Sequence, residues 1–423
     1  MDKALSRSDP DAGAVPSASS VAGFDVAARW RAIDGLLAQG EALWRPRPFR
    51  SLRLPWCEQL PALAAWLLGL EQAQVEQFES DHRALCTALA VYVPALAQLP
   101  SLVEVPRTTR LQRTTPAAFT WEIAGRKWDQ ICALADCVEQ HTAACGATGP
   151  LLDWCSGKGH LARAIALRTG RTVRGMERDT VLCAEGNRLA RRDRLPVSIH
   201  SVDVMTERVE PYLDAGGHIV AMHACGRLHL RLLRLAVAHR AASVMLAPCC
   251  HHLCDRADTA LSCSARASPL SLAPDELQLA VQETVTAGAS RRRDRERESA
   301  WRLGFDLLQR DLRGVDDYLP VPSVPRALIR TSFTEFVGWA IARKQLPSPA
   351  ATSFAEFERA GQRRHAAVTR LALLRHAFRR PLELRIVCDR ALFLVEHGFT
   401  ADVVEFCARD VTPRNLLIAA QRQ

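Results

Sequence analysis

The sequence predicts an α/β protein built on a doubly wound, mostly parallel sheet of seven strands, with an N-terminal helical domain and a helical insertion. Three observations predict it. From residue 150 onward, short apolar runs alternate with amphipathic stretches of helical length, as expected for strands joined by crossover helices. Residues 24–100 instead space their apolar positions at three and four throughout. Between 255 and 375 the alternation gives way to Arg/Glu-rich sequence and a Pro-rich stretch, YLPVPSVPR, and it resumes from 376.

Taken in order, residues 1–22 are polar and Pro/Ser-rich, and read as a disordered tail lacking the apolar centre of a secretory signal. No run approaches the roughly 18 apolar residues of a membrane span, so a cytoplasmic protein is expected. Residues 23–125 form the helical domain, carried by FDVAARWRAIDGLLAQGEALW and LPALAAWLLGLEQAQVEQF. Between them WRPRPFRSLRLP interleaves Trp44 and Phe49 with Arg45, Arg47, Arg50 and Arg53, and PRTTRLQRTT places Arg107, Arg110 and Arg113 three apart. Both stretches fit a solvated surface, and both fit a patch that tracks RNA phosphates.

Residues 126–254 hold the first part of the sheet domain. An amphipathic helix from Lys127 runs to the Gly149-Pro150 break. Strands follow at 151–154, 172–177, 197–202, 218–222 and 242–247, with helices at 160–169, 180–192 and 227–239. Residues 255–375 form the insertion, in which RRRDRERE (291–298) is mixed in sign and reads as an exposed helix face. Residues 376–423 finish the sheet with the helix PLELRIVCDRALFLVEHG and two strands, TADVVEFC and LLIAAQR, whose short connection makes them antiparallel neighbours.

Composition narrows the class. Hydrophobic residues at 48% and charged residues at 24% are ordinary for a globular protein. The fourteen cysteines are expected to be reduced, with Cys57, Cys86, Cys132 and Cys388 as small packing residues. Net charge is +9, yet only four of the 55 cationic residues are lysines: Lys3, Lys127, Lys158 and Lys344. Two of these fall at or near a glycine turn, which makes them mild pointers.

That turn is LLDWCSGKGH (151–160). In doubly wound sheets ligands bind beyond the carboxyl ends of the strands. Gly157 and Gly159 let a ligand approach the backbone, and the following helix offers amide donors. The next two strands lead to Glu177, placed to chelate ribose hydroxyls, and to Asp203, within reach of an adenine amino group. Carboxylates at three successive strand ends suit a nucleoside that carries a cation and would repel a diphosphate. S-adenosylmethionine is therefore favoured over NAD, although GKGHLA also fits the dinucleotide fingerprint.

With DWCSGKGH, GMERD, SVD, HACG and PCCHH, the chain resembles class I S-adenosylmethionine-dependent methyltransferases, which have a Rossmann-like sheet. It is most similar to the branch that groups acceptor-stem tRNA 2′-O-methyltransferases with a methyltransferase domain fused to a glutathione-transferase-like domain. The resemblance covers roughly 127–255 and 381–420. It implies that Asp153, Gly157 and Gly159 line the methionine end, Glu177 the ribose and Asp203 the adenine side. Lys127, Ser156, Lys158, Val204 and His223 complete the implied cofactor-binding set. Cys155 stands where many members carry the first glycine of the turn, so the turn must tolerate a side chain there. For Lys127 and Asp129, a place at the cofactor edge and a simple helix-start charge remain equal alternatives.

The acceptor side is expected where the fourth and fifth strands end, in MHACG and APCCHH. Candidate residues are His223, Cys249, Cys250 and His251, with either histidine orienting or deprotonating an acceptor hydroxyl. A Pro-Cys nucleophile, a metal site and plain packing stay open as alternatives. No metal is expected, because adjacent cysteines are poorly spaced for one tetrahedral ion. The resulting expectation is an S-adenosylmethionine-dependent methyltransferase acting on RNA, with tRNA favoured. Protein or small-molecule acceptors, and a non-catalytic methyltransferase-like binding protein, are the alternatives.

Overall fold

Seven strands pair into one sheet: β1 (Leu151–Trp154), β2 (Val173–Glu177), β3 (Val197–Ser201), β4 (His218–Cys225), β5 (Ser243–Cys249), β6 (Phe399–Glu405) and β7 (Leu416–Arg422). In the computed structural model their order is β3-β2-β1-β4-β5-β7-β6. The described residues are 24–111, 114–146, 149–214, 216–282, 289–347, 349 and 354–423, so the tail expected over 1–22 lies outside them. All neighbours run parallel except β7, which is antiparallel to both β5 and β6. β1 and β5 are buried along their whole length, as central strands covered on both faces must be.

Twelve helices of eight residues or more are described. They are α1 (Val26–Gln39), α2 (Pro61–Leu68), α3 (Gln72–Ser80), α4 (His82–Ala90), α5 (Gly125–Ala144), α6 (His160–Thr169), α7 (Thr180–Arg192), α8 (Arg227–Ala238), α9 (Ala289–Arg313), α10 (Phe333–Lys344), α11 (Ala355–His376) and α12 (Arg379–Val395). Local chemistry sets several starts. Asp25 accepts from the amides of Ala27 and Ala28 at 2.9 Å, Asp179 caps α7 in the same way, and Ser332 with Glu335 forms a capping box on α10.

Side-chain alternation along the strands feeds two cores. Leu151, Val173, Val220, Met245 and Leu417 pack with α5 and α6 on one face. Leu152, Trp154, Met176, Ile219, Leu246 and Ile418 join α12 and the N-terminal helices on the other. A third, aromatic core, with Trp301, Phe305, Phe333 and Phe336, belongs to α9 and α10.

β1 has the limits expected, and two other strand ends differ: β3 ends at Ser201 two residues before Asp203, and β5 runs on to Cys249, which puts Pro248 and Cys249 inside the strand. The largest difference is in β4. A bulge between Met222 and Cys225 shifts the register and extends the strand to Cys225, directly opposite Cys249.

The basic loop also departs from the phosphate-tracking alternative. Arg45 pairs with Glu41 (2.7 Å) and with Glu276, Arg47 with Asp275 (2.7 Å), and Arg50 lies 3.9 Å from Asp275. Trp44 is fully buried and donates to the Leu37 carbonyl, while Phe49 meets Tyr318 edge-on. This loop ties the N-terminal helices to the insertion. Arg107 and Arg110 likewise pair with Glu405 and Asp136, and Arg113 lies outside the described residues.

Candidate active site

The switch in strand order between β1 and β4 opens the carboxyl edge of the sheet, where doubly wound folds place their ligands. Three backbone conformations shape the turn that follows β1. Cys155, Gly157 and Gly159 all have positive φ, at 60°, 56° and 64°. At Gly159 a side chain is excluded twice over, because a Cβ would sit 2.7 Å from Ile199 Cδ1. Cys155 accepts the left-handed region without being glycine, which is how the chain carries a thiol at that position. Ser156 fastens the turn, its amide donating to the Met176 carbonyl at 2.9 Å.

Asp153 is only 2% exposed, and its Oδ2 has no hydrogen-bond partner. Burial pushes its carboxyl up to about 7, with the Ala162 amide pulling it back and Glu177 adding to the rise. A buried acceptor in this state calls for a cationic donor. Glu177 is held in place, since Oε2 accepts from the Gly157 amide and Oε1 from the Asp179 amide, both at 3.0 Å. Each oxygen keeps a lone pair for a ribose hydroxyl. Asp203 Oδ1 accepts from the Met205 amide at 2.9 Å, and Val204 is buried beside it.

The three carboxylates share one neighbourhood. Burial, then Glu177, Asp153, Cys225 and Asp203, together push the Cys155 thiol up to about 12. The anionic strand ends therefore converge on the glycine turn. Cations rim the same edge. Lys127 is exposed in the first turn of α5 and Lys158 half-buried in the turn. Burial, and then Lys127, Arg163 and Lys158, hold His160 down at about 4.

On the acceptor side, His223 sits at the β4 bulge with φ 66° and is exposed. Its Nε2 lies 3.2 Å from Gln130 Oε1. Gln130 Nε2 donates to the Val411 carbonyl at 3.3 Å, which fixes the amide with its oxygen toward the histidine. Nε2 then carries the ring proton, leaving Nδ1 as the basic nitrogen. Desolvation, followed by Lys127, keeps the imidazole below its ordinary pKa. Sequence reasoning missed Gln130, although it follows Lys127 by three residues on the same helix.

His251 is 1% exposed, both its ring nitrogens are without hydrogen-bond partners, and its ring stands edge-on to His229 at 6.0 Å. Cys249 is buried within β5, whereas Cys250 is half-buried with φ 48°. Cys225 Sγ lies 3.2 Å from Cys249 Sγ. Hydrogen bonding by Cys249, ahead of Cys250, holds the Cys225 thiol below its ordinary pKa. All fourteen cysteines are free, and Cys86, Cys132 and Cys388 are buried packing residues as expected. A separate surface depression lined by Leu151, Arg174, Tyr212, His218 and His239 opens at the opposite edge of the sheet, away from this chemistry.

A family model described as a methyltransferase domain matches residues 126–257. No curated protein matches the chain. Two solved structures of the plantazolicin methyltransferase BpumL are similar to it: one in complex with SAH, at 12% identity, and one with a monoazolic desmethylPZN analog and SAH, at 13%. Each has a TM-score of 0.23, and each alignment covers 41% of this chain and 59% of that one. The stretch matched by the family model, residues 126–257, holds the glycine turn and strands β1 to β5.

Proposed function

We propose that the whole chain, proceeding from that methyltransferase domain, methylates RNA, with tRNA the favoured class. The observation that carries the donor side is Asp153, a buried carboxylate with an unpartnered oxygen at the glycine turn. It suits the ammonium of S-adenosylmethionine, while Glu177 and Asp203 suit the ribose and the adenine amino group. The bound cofactor supplies an electrophilic methyl on a sulfonium. The chain's own task is alignment of the acceptor, with removal of a proton where the acceptor arrives protonated. His223 Nδ1 is the group we assign to take that proton, oriented by Gln130.

RNA is supported by charge. The chain is +9, Lys127 and Lys158 border the cleft, and Arg291, Arg292 and Arg293 stand exposed at the start of α9. The N-terminal arginines support it less, being tied to acidic residues of the same chain.

The test compares modified nucleosides in RNA from cells with and without the gene by mass spectrometry. A methyl nucleoside should disappear from the tRNA fraction on deletion and return when the purified protein and S-adenosylmethionine are added. An unchanged RNA profile, together with transfer of labelled methyl to protein or metabolites, overturns the RNA assignment. Affinity for tRNA should also fall steeply with salt, and a flat response counts against phosphate contacts.

A further inference from the structure

We propose that Cys225, Cys249 and Cys250 form a site for one thiophilic divalent cation of the zinc type, bound by three thiolates with its fourth position open toward the acceptor side of the cleft. The three sulfurs lie within 4.8 Å of one another, and no other group of three or more His, Cys, Asp or Glu donors gathers so closely among the described residues. A tetrahedral zinc with sulfur at about 2.3 Å spaces its ligands about 3.8 Å apart, so small rotations of the thiols reach it.

Linear spacing argues against this grouping, because Cys249 and Cys250 are adjacent. The backbone removes the objection. The bulge in β4 places Cys225 opposite Cys249 across the strand pair, and the left-handed conformation at Cys250 turns the chain at the end of β5. His223, also left-handed, sets the bulge. Two non-glycine residues held at positive φ are strained, and packing three small apolar side chains does not require that arrangement. Gly226 completes the turn, where a Cβ would meet the Leu253 carbonyl oxygen at 2.0 Å.

Three thiolates around a divalent cation carry one net negative charge. That charge suits the neighbourhood of a sulfonium. Cys225 and Cys250 are half-buried, so the fourth coordination position can be reached from the cleft. An acceptor oxygen, nitrogen or sulfur held there would be polarised by the metal. The assignment of that position to the acceptor rests on the methyltransferase reading; the metal site itself does not.

Elemental analysis of the full-length protein, purified without chelators, tests the site. One equivalent of zinc per chain is expected, lost in Cys225→Ser and in Cys250→Ser and retained in Cys254→Ser and Cys263→Ser. Exchange with cobalt(II) should give the visible bands of a tetrahedral ion with a thiolate charge-transfer band in the near ultraviolet. This readout needs only the wild-type chain, so a variant that fails to fold does not remove the test. Trace zinc with no cobalt bands overturns the proposal, as does zinc retained in both variants or a Cys225–Cys249 disulfide found by mass spectrometry. Calorimetry with S-adenosylmethionine on the same sample separates the two readings: cofactor binding without metal sinks the site alone, and metal without cofactor binding sinks the donor assignment.

Discussion

Asp153 concentrates the physical tension of the site in one side chain. Its carboxyl is raised to about 7 in the folded protein, so ionising it costs more there than in the unfolded chain. The protonated form therefore stabilises the fold at low pH, and that stabilisation is lost as pH rises from the ordinary aspartate value through about 7. Asp153→Asn should accordingly raise the melting temperature of the cofactor-free protein at pH 8 and change it little near pH 4. The same variant should lose most of its affinity for S-adenosylmethionine in calorimetry; unaltered affinity would refute the role given to the carboxylate. Cys155 is the other informative residue. Cys155→Gly should leave cofactor affinity and stability within about 1 kcal/mol, because relief of left-handed strain offsets the lost thiol packing. Cys155→Val, with a β-branched side chain at φ 60°, should destabilise the protein by about 1–3 kcal/mol in urea melts.

At the scale of elements, the glycine turn and the β4 bulge divide what the sequence disclosed from what it withheld. β2 and the helices α6 and α7 are found where the apolar patterns put them, since each is a short run buried by its own spacing. The three carboxylates were legible for the same reason: a strand end is a local event. The bulge at His223 was not legible. It depends on how β4 is registered against β5, a pairing between chain segments that no local pattern encodes. The burial of His251 was not legible either, because the adjacency of His251 and His252 hides which one faces inward. The ion pairs between the WRPRPFR loop and Asp275–Glu276 were invisible because Arg45 and Glu276 lie 231 residues apart. His223→Asn separates the imidazole from the bulge that carries it. Asparagine tolerates φ near 66° and keeps the backbone, but it cannot take a proton at neutral pH. Methyl transfer at saturating substrates should fall about 10²–10⁴-fold, with cofactor affinity changed far less. A rate near wild type would remove His223 as the base.

Across the whole molecule, α12 holds the parts together. It is buried along almost its entire length and packs against α1, β6 and β7. Its charged residues are engaged one by one. Arg385 donates to Asp34 of α1 at 2.6 Å, Ser268 of the insertion donates to the same carboxylate at 2.8 Å, and Asp389 accepts from the amides of Leu261 and Ser262. Removing one member of such a set strands a buried charge. Asp34→Ala should therefore cost about 3–5 kcal/mol in equilibrium denaturation, and the double variant Asp34→Leu with Arg385→Met should recover much of that loss. Equal destabilisation of the single and the double variant would show that the pair is not the cause.

The reach of that helix back to α1 has a consequence for synthesis. Asp34 and Arg385 are separated by 351 positions. At about 5–20 residues per second, a ribosome takes roughly 20–70 s to make the second partner after the first. For most of that interval Ile33 and Leu37 are outside the exit tunnel with their final covering helix still unmade, so newborn chains should depend on holding chaperones far more than the finished protein does.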